Sequence, residues 1–322
     1  MNIKPRDLRG KSILITGATG VVGRSILDYL DQSRLIYGDE IKVTVLSRNV
    51  DLFLKKYPSY TRFYWLQFLE GNITNLPPPD RTFTDVIHAA ADTHFLGADH
   101  LWRDQIVHGT VQALKYANAA KAKRFLYISS GAVYGPHEDV NVTLHENYDL
   151  NLQKKSTRSI YGEAKKTAED LAIKFSNHSD MKIKIARLFT IISQHMPIPG
   201  HYAITNFLHD ARFNDTININ GNKNTLRSYL DGRDMAHWLI TILLDGQTNA
   251  AYNVGSDRAL TMIEIAECIR KIYSPSKAIV CHSDSESKIS VYVPNVEKCK
   301  NLGLNINYTL EDSLEELKSL KN

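Results

Sequence analysis

Cysteine is scarce in this chain and poorly placed for cross-linking. There are three, Cys268, Cys281 and Cys299. All fall late and none forms a Cys-x-x-Cys pair. An odd number at wide spacing argues against a disulfide framework and against a zinc site, so no metal is expected. Such cysteine usage fits a reducing, cytoplasmic setting. No run of about 18 apolar residues occurs, so no membrane span is expected. The polar stretch from Met1 to Lys11 has no secretion-signal core. Internal repeats are lacking, and the one low-complexity tract is Pro77-Pro78-Pro79. Neither sign of charge dominates. A formal net charge of +4 leans towards anionic ligands but falls short of a nucleic-acid binder's basic footprint. Apolar residues are plentiful: 43% of 322 residues suffice for one large domain or two ordinary ones.

The first informative pattern is Ser12 to Thr16, a short apolar run that reads as a buried strand. Gly17-Ala18-Thr19-Gly20-Val21-Val22-Gly23 follows at once, and Ile26, Leu27 and Leu30 then recur at helical spacing. A strand, a glycine turn and a helix N-terminus together make an anion site. The glycines let backbone approach a pyrophosphate, and the helix's unpaired N–H groups face it. Ile41 to Leu46 is the next strand, with Ser47 and Arg48 at its end. A carboxylate there would repel a 2′-phosphate, whereas an arginine can pair with one, which favours NADP over NAD. An arginine that stacks on adenine and tolerates both cofactors is the alternative. Further strands are expected at Phe63–Glu70, Asp85–Ala91, Arg124–Ile128 and Lys182–Leu188, with a long helix from Ala98 to Ala120 between them. This alternation predicts a doubly wound parallel sheet. Ala89, Ala90 and Ala91 end one strand with small side chains, which lets a flat ligand lie close to backbone.

Tyr161 and Lys165 stand four residues apart in a helix-compatible stretch, on one face. An ammonium held near a phenol favours phenolate and lowers its pKa, so the pair is an acid/base device for a hydroxyl. Taken in order, Gly17-x-x-Gly20-x-x-Gly23, Ser129-Ser130-Gly131-Ala132-Val133-Tyr134-Gly135 and Tyr161-x-x-x-Lys165 resemble the extended short-chain dehydrogenases/reductases. More narrowly, they resemble the nucleotide-sugar epimerase/dehydratase group, over about residues 11 to 275. The resemblance implies an α/β chain. Residues 1–190, with returning segments from about 225–260, would form a Rossmann-type cofactor domain. Residues 191–322 would mainly form a smaller subdomain for a nucleotide-diphosphate sugar. It implies Ser130, Tyr161 and Lys165 as the catalytic set, with Lys165 binding the nicotinamide ribose and depressing the tyrosine pKa. Cofactor contacts are implied at Gly17, Thr19, Gly20, Val21, Val22, Gly23, Ser47, Arg48, Asn72, Ile73, Ala89, Ala90, Ala91, Ser129 and Phe189. Substrate contacts are implied at Thr93, Ser130, Gly131, Thr190, His201, Asn206 and Arg227. A homodimer through the long helices is implied as well.

One departure separates this chain from part of that group. Sugar 4,6-dehydratases carry an Asp-Glu pair directly after the catalytic Ser/Thr, as acid and base for removing water. Here Gly131 and Ala132 stand there and transfer no proton. Reduction of a 4-keto sugar, oxidation at C4 or 4-epimerisation remains. The alternatives are a dehydratase drawing on His137, Glu138 or Glu146, a reductase of another substrate, and a non-catalytic NADP-sensing module. In the second half, Arg227 suits a diphosphate through paired hydrogen bonds, or is a solvated loop charge. His88 is expected in the core, and Cys268 as buried filler. Thr261 and Glu264 are expected to cap a late helix, with Leu310, Leu314 and Leu317 on one face of another.

Overall fold

The computed structural model describes residues 3–90, 99–139, 143–148, 150, 159–282 and 289–320. Strand β1 (Ser12–Thr16) is buried almost throughout, because the sheet covers it on both sides and helices cover both faces. Its side chains alternate accordingly. Ile13 and Ile15 join a core with Ile26, Leu27 and Leu30 of helix α1 (Val21–Tyr37). Leu14 faces the opposite core. Strand β2 (Lys42–Ser47) follows, and Asn49 caps helix α2 (Val50–Lys56) by accepting from Leu52 N–H. Next come β3 (Leu66–Glu70), β4 (Asp85–His88) and helix α3 (Asp99–Ala119). Strand β5 (Arg124–Ser130) precedes helix α4 (Ile160–Ser176) and β6 (Lys182–Leu188). Ala113, Leu114 and Ala117 of α3 share the second core with Ala164, Ala168 and Ala172 of α4. The alanine face of α4 lets that helix lie close to its neighbour.

After β6 the elements become short: β7 (Ile191–Ile192), α5 (Ala203–Phe213), β8 (Thr216–Ile219), β9 (Leu226–Arg227) and β10 (Leu230–Asp231). Helix α6 (Gly232–Asp245) and β11 (Ala251–Val254) return to the large sheet. Then follow β12 (Leu260–Thr261), α7 (Met262–Tyr273), β13 (Ala278–Cys281), β14 (Val291–Tyr292), α8 (Glu297–Lys300) and α9 (Leu310–Ser319). The large sheet is parallel throughout, in the order β11-β6-β5-β4-β1-β2-β3. Strand order reverses between β1 and β4, so the carboxyl ends of those strands border a crevice. A third core joins α5, α7 and α9 through Ile204, Phe207, Ile265, Ile269, Leu314 and Leu317. Thr261 and Glu264 form the expected reciprocal cap of α7.

Two expectations about single residues need adjusting. Cys268 is half-buried and faces Glu311 at 3.6 Å, and Cys299 is the buried thiol instead. The strand expected from Phe63 starts at Leu66, because residues 58–62 coil into a short helical turn.

Behind β5 and β6 lies a buried polar network. Glu169 of α4 accepts from Arg187 Nη2 at 2.8 Å and Nε at 3.1 Å, and from Ser129 Oγ at 2.6 Å. Arg187 Nη1 donates to Tyr134 Oη at 2.9 Å, whose hydroxyl donates to Asn253 Oδ1 at 2.8 Å. Removing one partner leaves a buried charge uncompensated. Glu169→Ala should therefore lower stability by about 3–5 kcal/mol in urea unfolding. A loss under about 1 kcal/mol, the range of exposed pairs, would show that the network is dispensable.

Candidate active site

The glycine turn sits at the β1–β4 crevice. Gly17 has φ +72°, and a Cβ built there would meet the Ala89 and Ala90 backbone at 2.6–2.7 Å. A Cβ on Gly23 would lie 2.2 Å from Ala18 Cα. These two glycines press the turn against β4 and against α1's own entry. Gly20 is the N-cap of α1 and supplies no side-chain cap, so the first N–H groups of the helix keep no side-chain acceptor. α5 is likewise uncapped by a side chain at Tyr202, whereas α2, α4, α6, α7 and α9 all have one. Uncapped N–H groups and a positive helix end suit a diphosphate. The α1 turn therefore fits the pyrophosphate of a dinucleotide, with Thr19 and Val21 half-buried on its rim and Val22 packed on the first core.

At the end of β2, Ser47 is buried and donates to the Asn49 carbonyl at 3.1 Å, while Arg48 is exposed. Asn72 is exposed and caps a short turn by accepting from Thr74 N–H at 3.2 Å, and Ile73 packs on the second core. Ala89 and Ala90 are half-buried at the end of β4. Ala91 and Thr93 lie outside the described residues. His88 is in the core, with Nδ1 2.7 Å from Thr16 Oγ1 and Nε2 3.4 Å from Thr110 Oγ1. Burial holds its pKa down to about 3. It is a hydrogen-bonded core residue, as the sequence suggested.

β5 and α4 bring Ser130, Tyr161 and Lys165 together. Ser159 caps α4 by accepting from Gly162 N–H at 3.1 Å, which fixes where Tyr161 enters the helix. Ser130 Oγ accepts from Ala132 N–H at 3.2 Å. Burial pushes the Tyr161 phenol up to about 12, and hydrogen bonding by Ser130 opposes that rise. Lys165 is buried, donates to the Ile128 carbonyl at 2.8 Å and lies 4.8 Å from the Tyr127 ring centre. Its Nζ is 5.8 Å from the centre of the Tyr161 ring. Burial pulls its pKa down to about 7, with Glu169 opposing. The expectation that Lys165 lowers the Tyr161 pKa is therefore not met in this arrangement. The ammonium is turned to a backbone carbonyl, and desolvation dominates both groups.

Other expected residues are placed less directly. The Ser129 hydroxyl is committed to Glu169. Phe189 is buried against Tyr134 and Tyr292, and a Cβ on Gly131 would meet its ring at 2.8 Å. The Thr190 carbonyl accepts from Leu230 N–H, and His201 and Asn206 are exposed at the entrance to α5. Arg227 is half-buried and donates to the Leu226 and Ser290 carbonyls at 2.8 and 3.0 Å. Of the fallback acids and bases, Glu146 accepts from Asn253 N–H at 2.8 Å and so belongs to the polar network.

Three aromatic residues at the site were not anticipated. Trp102 of α3 stacks on Tyr161 with ring centres 5.3 Å apart. Tyr202 and Tyr292 each raise the Tyr161 pKa or share its surroundings. Tyr202 adjoins His201, so proximity in sequence could have raised it. Nothing local marks Trp102 or Tyr292.

The buried lysine generates a pH dependence. Its folded pKa lies below the ordinary lysine value, so the unfolded chain binds more protons above about pH 7 and stability rises with pH there. Lys165→Met should remove up to about 1.4 kcal/mol per pH unit of that rise. Urea unfolding of both proteins, free of cofactor, from pH 7 to alkaline pH measures it. Parallel curves would contradict it.

Among the described residues no helix is long and apolar enough to cross a membrane, and no His/Cys/Asp/Glu group could hold a metal. The chain is 28% identical over 197 residues to UDP-glucuronic acid decarboxylase 4 of Arabidopsis thaliana, covering 61% of this chain and 43% of that one. It thus spans under half that relative's length. In fold it is similar to dTDP-glucose 4,6-dehydratase from Bacillus anthracis in complex with NAD, with a TM-score of 0.79 and 20% identity over 97% and 96% of the two chains. RMD from Pseudomonas aeruginosa, complexed with NADPH, gives a TM-score of 0.76 at 20% identity over 96% and 98%. The model of the NAD dependent epimerase/dehydratase family matches residues 13–255. With the glycine turn, the parallel sheet and the Ser-Tyr-Lys cluster in place, the chain belongs to that family of extended short-chain dehydrogenases/reductases.

Proposed function

We propose that this chain acts at C4 of a nucleotide-diphosphate-linked sugar, reducing a 4-keto group or inverting a 4-hydroxyl, with NADP(H) as cofactor or, alternatively, NAD. The observation that carries this reading is the lack of a carboxylate beside Ser130. Gly131 has no room for one, because a Cβ there would sit 2.6 Å from Tyr292 Oη and 2.8 Å from the Phe189 ring. The Tyr292 phenol occupies that space instead, and burial keeps both Tyr161 and Tyr292 protonated at neutral pH. Removal of a carbon-bound proton needs an ionised base, and these groups do not provide one.

A bound nicotinamide would supply or remove the hydride. The chain's own residues do the rest. The turn from Gly17 to Gly23 and the α1 N–H groups hold the cofactor diphosphate, and Ser47 and Arg48 meet the adenosine ribose. Arg227, Asn206 and the uncapped start of α5 suit the diphosphate of the sugar nucleotide. Tyr161 gives or takes the C4 hydroxyl proton, and Ser130 hydrogen-bonds the same oxygen. Lys165 would hold the nicotinamide ribose of a bound cofactor. A homodimer through the long helices that include α4 belongs to this reading by resemblance, and a cytoplasmic location by the cysteine usage.

Tyr161→Phe should lower kcat by roughly 10²–10⁴-fold while dinucleotide affinity stays within a few-fold, measured on UDP-, dTDP-, GDP- and CDP-4-keto sugars with NADPH. Turnover near that of the wild type would overturn the reading. Arg48→Ala should weaken NADP by about tenfold or more relative to NAD in direct titration. An equal loss for both would place Arg48 on the adenine instead.

A further inference from the structure

We propose that Trp102 is a positioning residue of the proton-handling site: its indole, stacked on the Tyr161 ring, sets the plane in which the Tyr161 hydroxyl gives and takes a proton. This rests on the reading of Tyr161 given above and adds a residue from the neighbouring helix.

The stack follows from the topology. α3 and α4 come after β4 and β5, two paired parallel strands, so both helices begin at the carboxyl edge of the sheet. Trp102 stands in the first turn of α3 and Tyr161 in the first turn of α4. On α3, Trp102, Ile106, Ala113 and Ala117 lie on one face at helical spacing, and on α4 so do Tyr161, Ala164, Ala168 and Ala172. All of these pack on the second core. The alanines let the helices approach, so the large rings at their starting ends meet face to face. Their centres are 5.3 Å apart and their planes 26° from parallel. That is within the range in which aromatic faces attract.

The geometry of a phenol gives this stack a chemical consequence. The torsion that spins a tyrosine ring about its own axis is broad, so the side chain alone does not fix the ring plane. Oη lies on that axis and stays in place as the ring spins. Its proton does not, because conjugation holds the O–H bond in the plane of the ring. The ring plane therefore decides the direction along which Tyr161 exchanges a proton, and transfer to a sugar oxygen needs that direction aligned. An indole face laid against the phenol blocks the spin and stops the ring swinging towards α3. Lys165 does not do this: its Nζ is a point charge 5.8 Å from the ring centre and donates to the Ile128 carbonyl. A flat face is what the task requires. A flexible apolar side chain would fill the space and leave the ring free to turn.

The test compares wild type with Trp102→Phe, which keeps a flat face, and with Trp102→Leu and Trp102→Met, which keep apolar bulk without one. Two ringless variants are used so that a folding defect in one does not decide the outcome. Tyrosine labelled with ¹³C in the ring reads Tyr161 in the free protein, assigned by Tyr161→Phe. The indole ring current should hold the Tyr161 ring protons upfield. They should move downfield in the Leu and Met variants and remain upfield in Trp102→Phe. In turnover of the 4-keto sugar nucleotides with NADPH, the ringless variants should lower kcat roughly 10–10²-fold at little changed KM, the cost of a misaligned reacting group. Trp102→Phe should restore most of that loss. The solvent deuterium isotope effect on kcat should rise in the ringless variants, because proton transfer becomes the slower step. Unmoved resonances, a Phe variant as slow as the ringless ones, or ringless variants as fast as wild type would each overturn the proposal. Full turnover in Tyr161→Phe would instead sink the functional reading, on which the resonance measurement does not depend.

Discussion

The buried pair of Glu169 and Arg187 is the constraint on which the site depends. Glu169 stands one helical turn beyond Lys165 and two beyond Tyr161, all on the face of α4 that meets the sheet. Arg187 stands in β6, and Ser129, the third member, directly precedes Ser130 in β5. The bidentate contact fixes α4 against β6 and the Ser129 bond fixes it against β5, so Glu169 sets the spacing of α4 and β5, which carry the candidate catalytic side chains. Such a pair offsets its desolvation only when its geometry is good and its remaining donors are satisfied. Both conditions hold here, because Tyr134 and Asn253 complete the network.

The same burial shapes the chemistry. Desolvation raises the Tyr161 phenol and lowers the Lys165 ammonium, so both lean to their uncharged forms. Ser130 opposes the rise of the phenol without overcoming it. The site thus contains hydroxyl groups and one buried lysine, with Gly131 and Ala132 directly after Ser130.

Much of the fold was legible because it is written in short-range patterns. The apolar run of β1, the glycine turn and the helical spacing after it lie within about one βαβ unit, and so do the later strand–helix alternations. The Tyr161–Lys165 spacing works for the same reason, since a helix makes neighbours of residues four apart. What could not be read joins distant segments. Tyr292 meets Gly131 only because β14 pairs with β9, and β9 leads back through β10 to the edge of β7. Trp102 reaches Tyr161 only because α3 lies beside α4. Ser129 could be placed near a cofactor by motif, but the partner of its hydroxyl, Glu169, is set by tertiary packing. The electrostatic expectation for Lys165 failed similarly: spacing fixes which face a side chain is on, not which acceptor its ammonium chooses.

Hydride chemistry at C4 without elimination is distinguished from its alternatives by turning over the accepted sugar nucleotide in D₂O and reading the product by mass spectrometry and proton NMR. Hydride transfer at C4 gives a product that has lost neither water nor carbon dioxide and carries no solvent deuterium on carbon. Loss of water or carbon dioxide, with solvent deuterium on carbon, would contradict it; loss of water would in addition require a base that the residues around Ser130 do not supply.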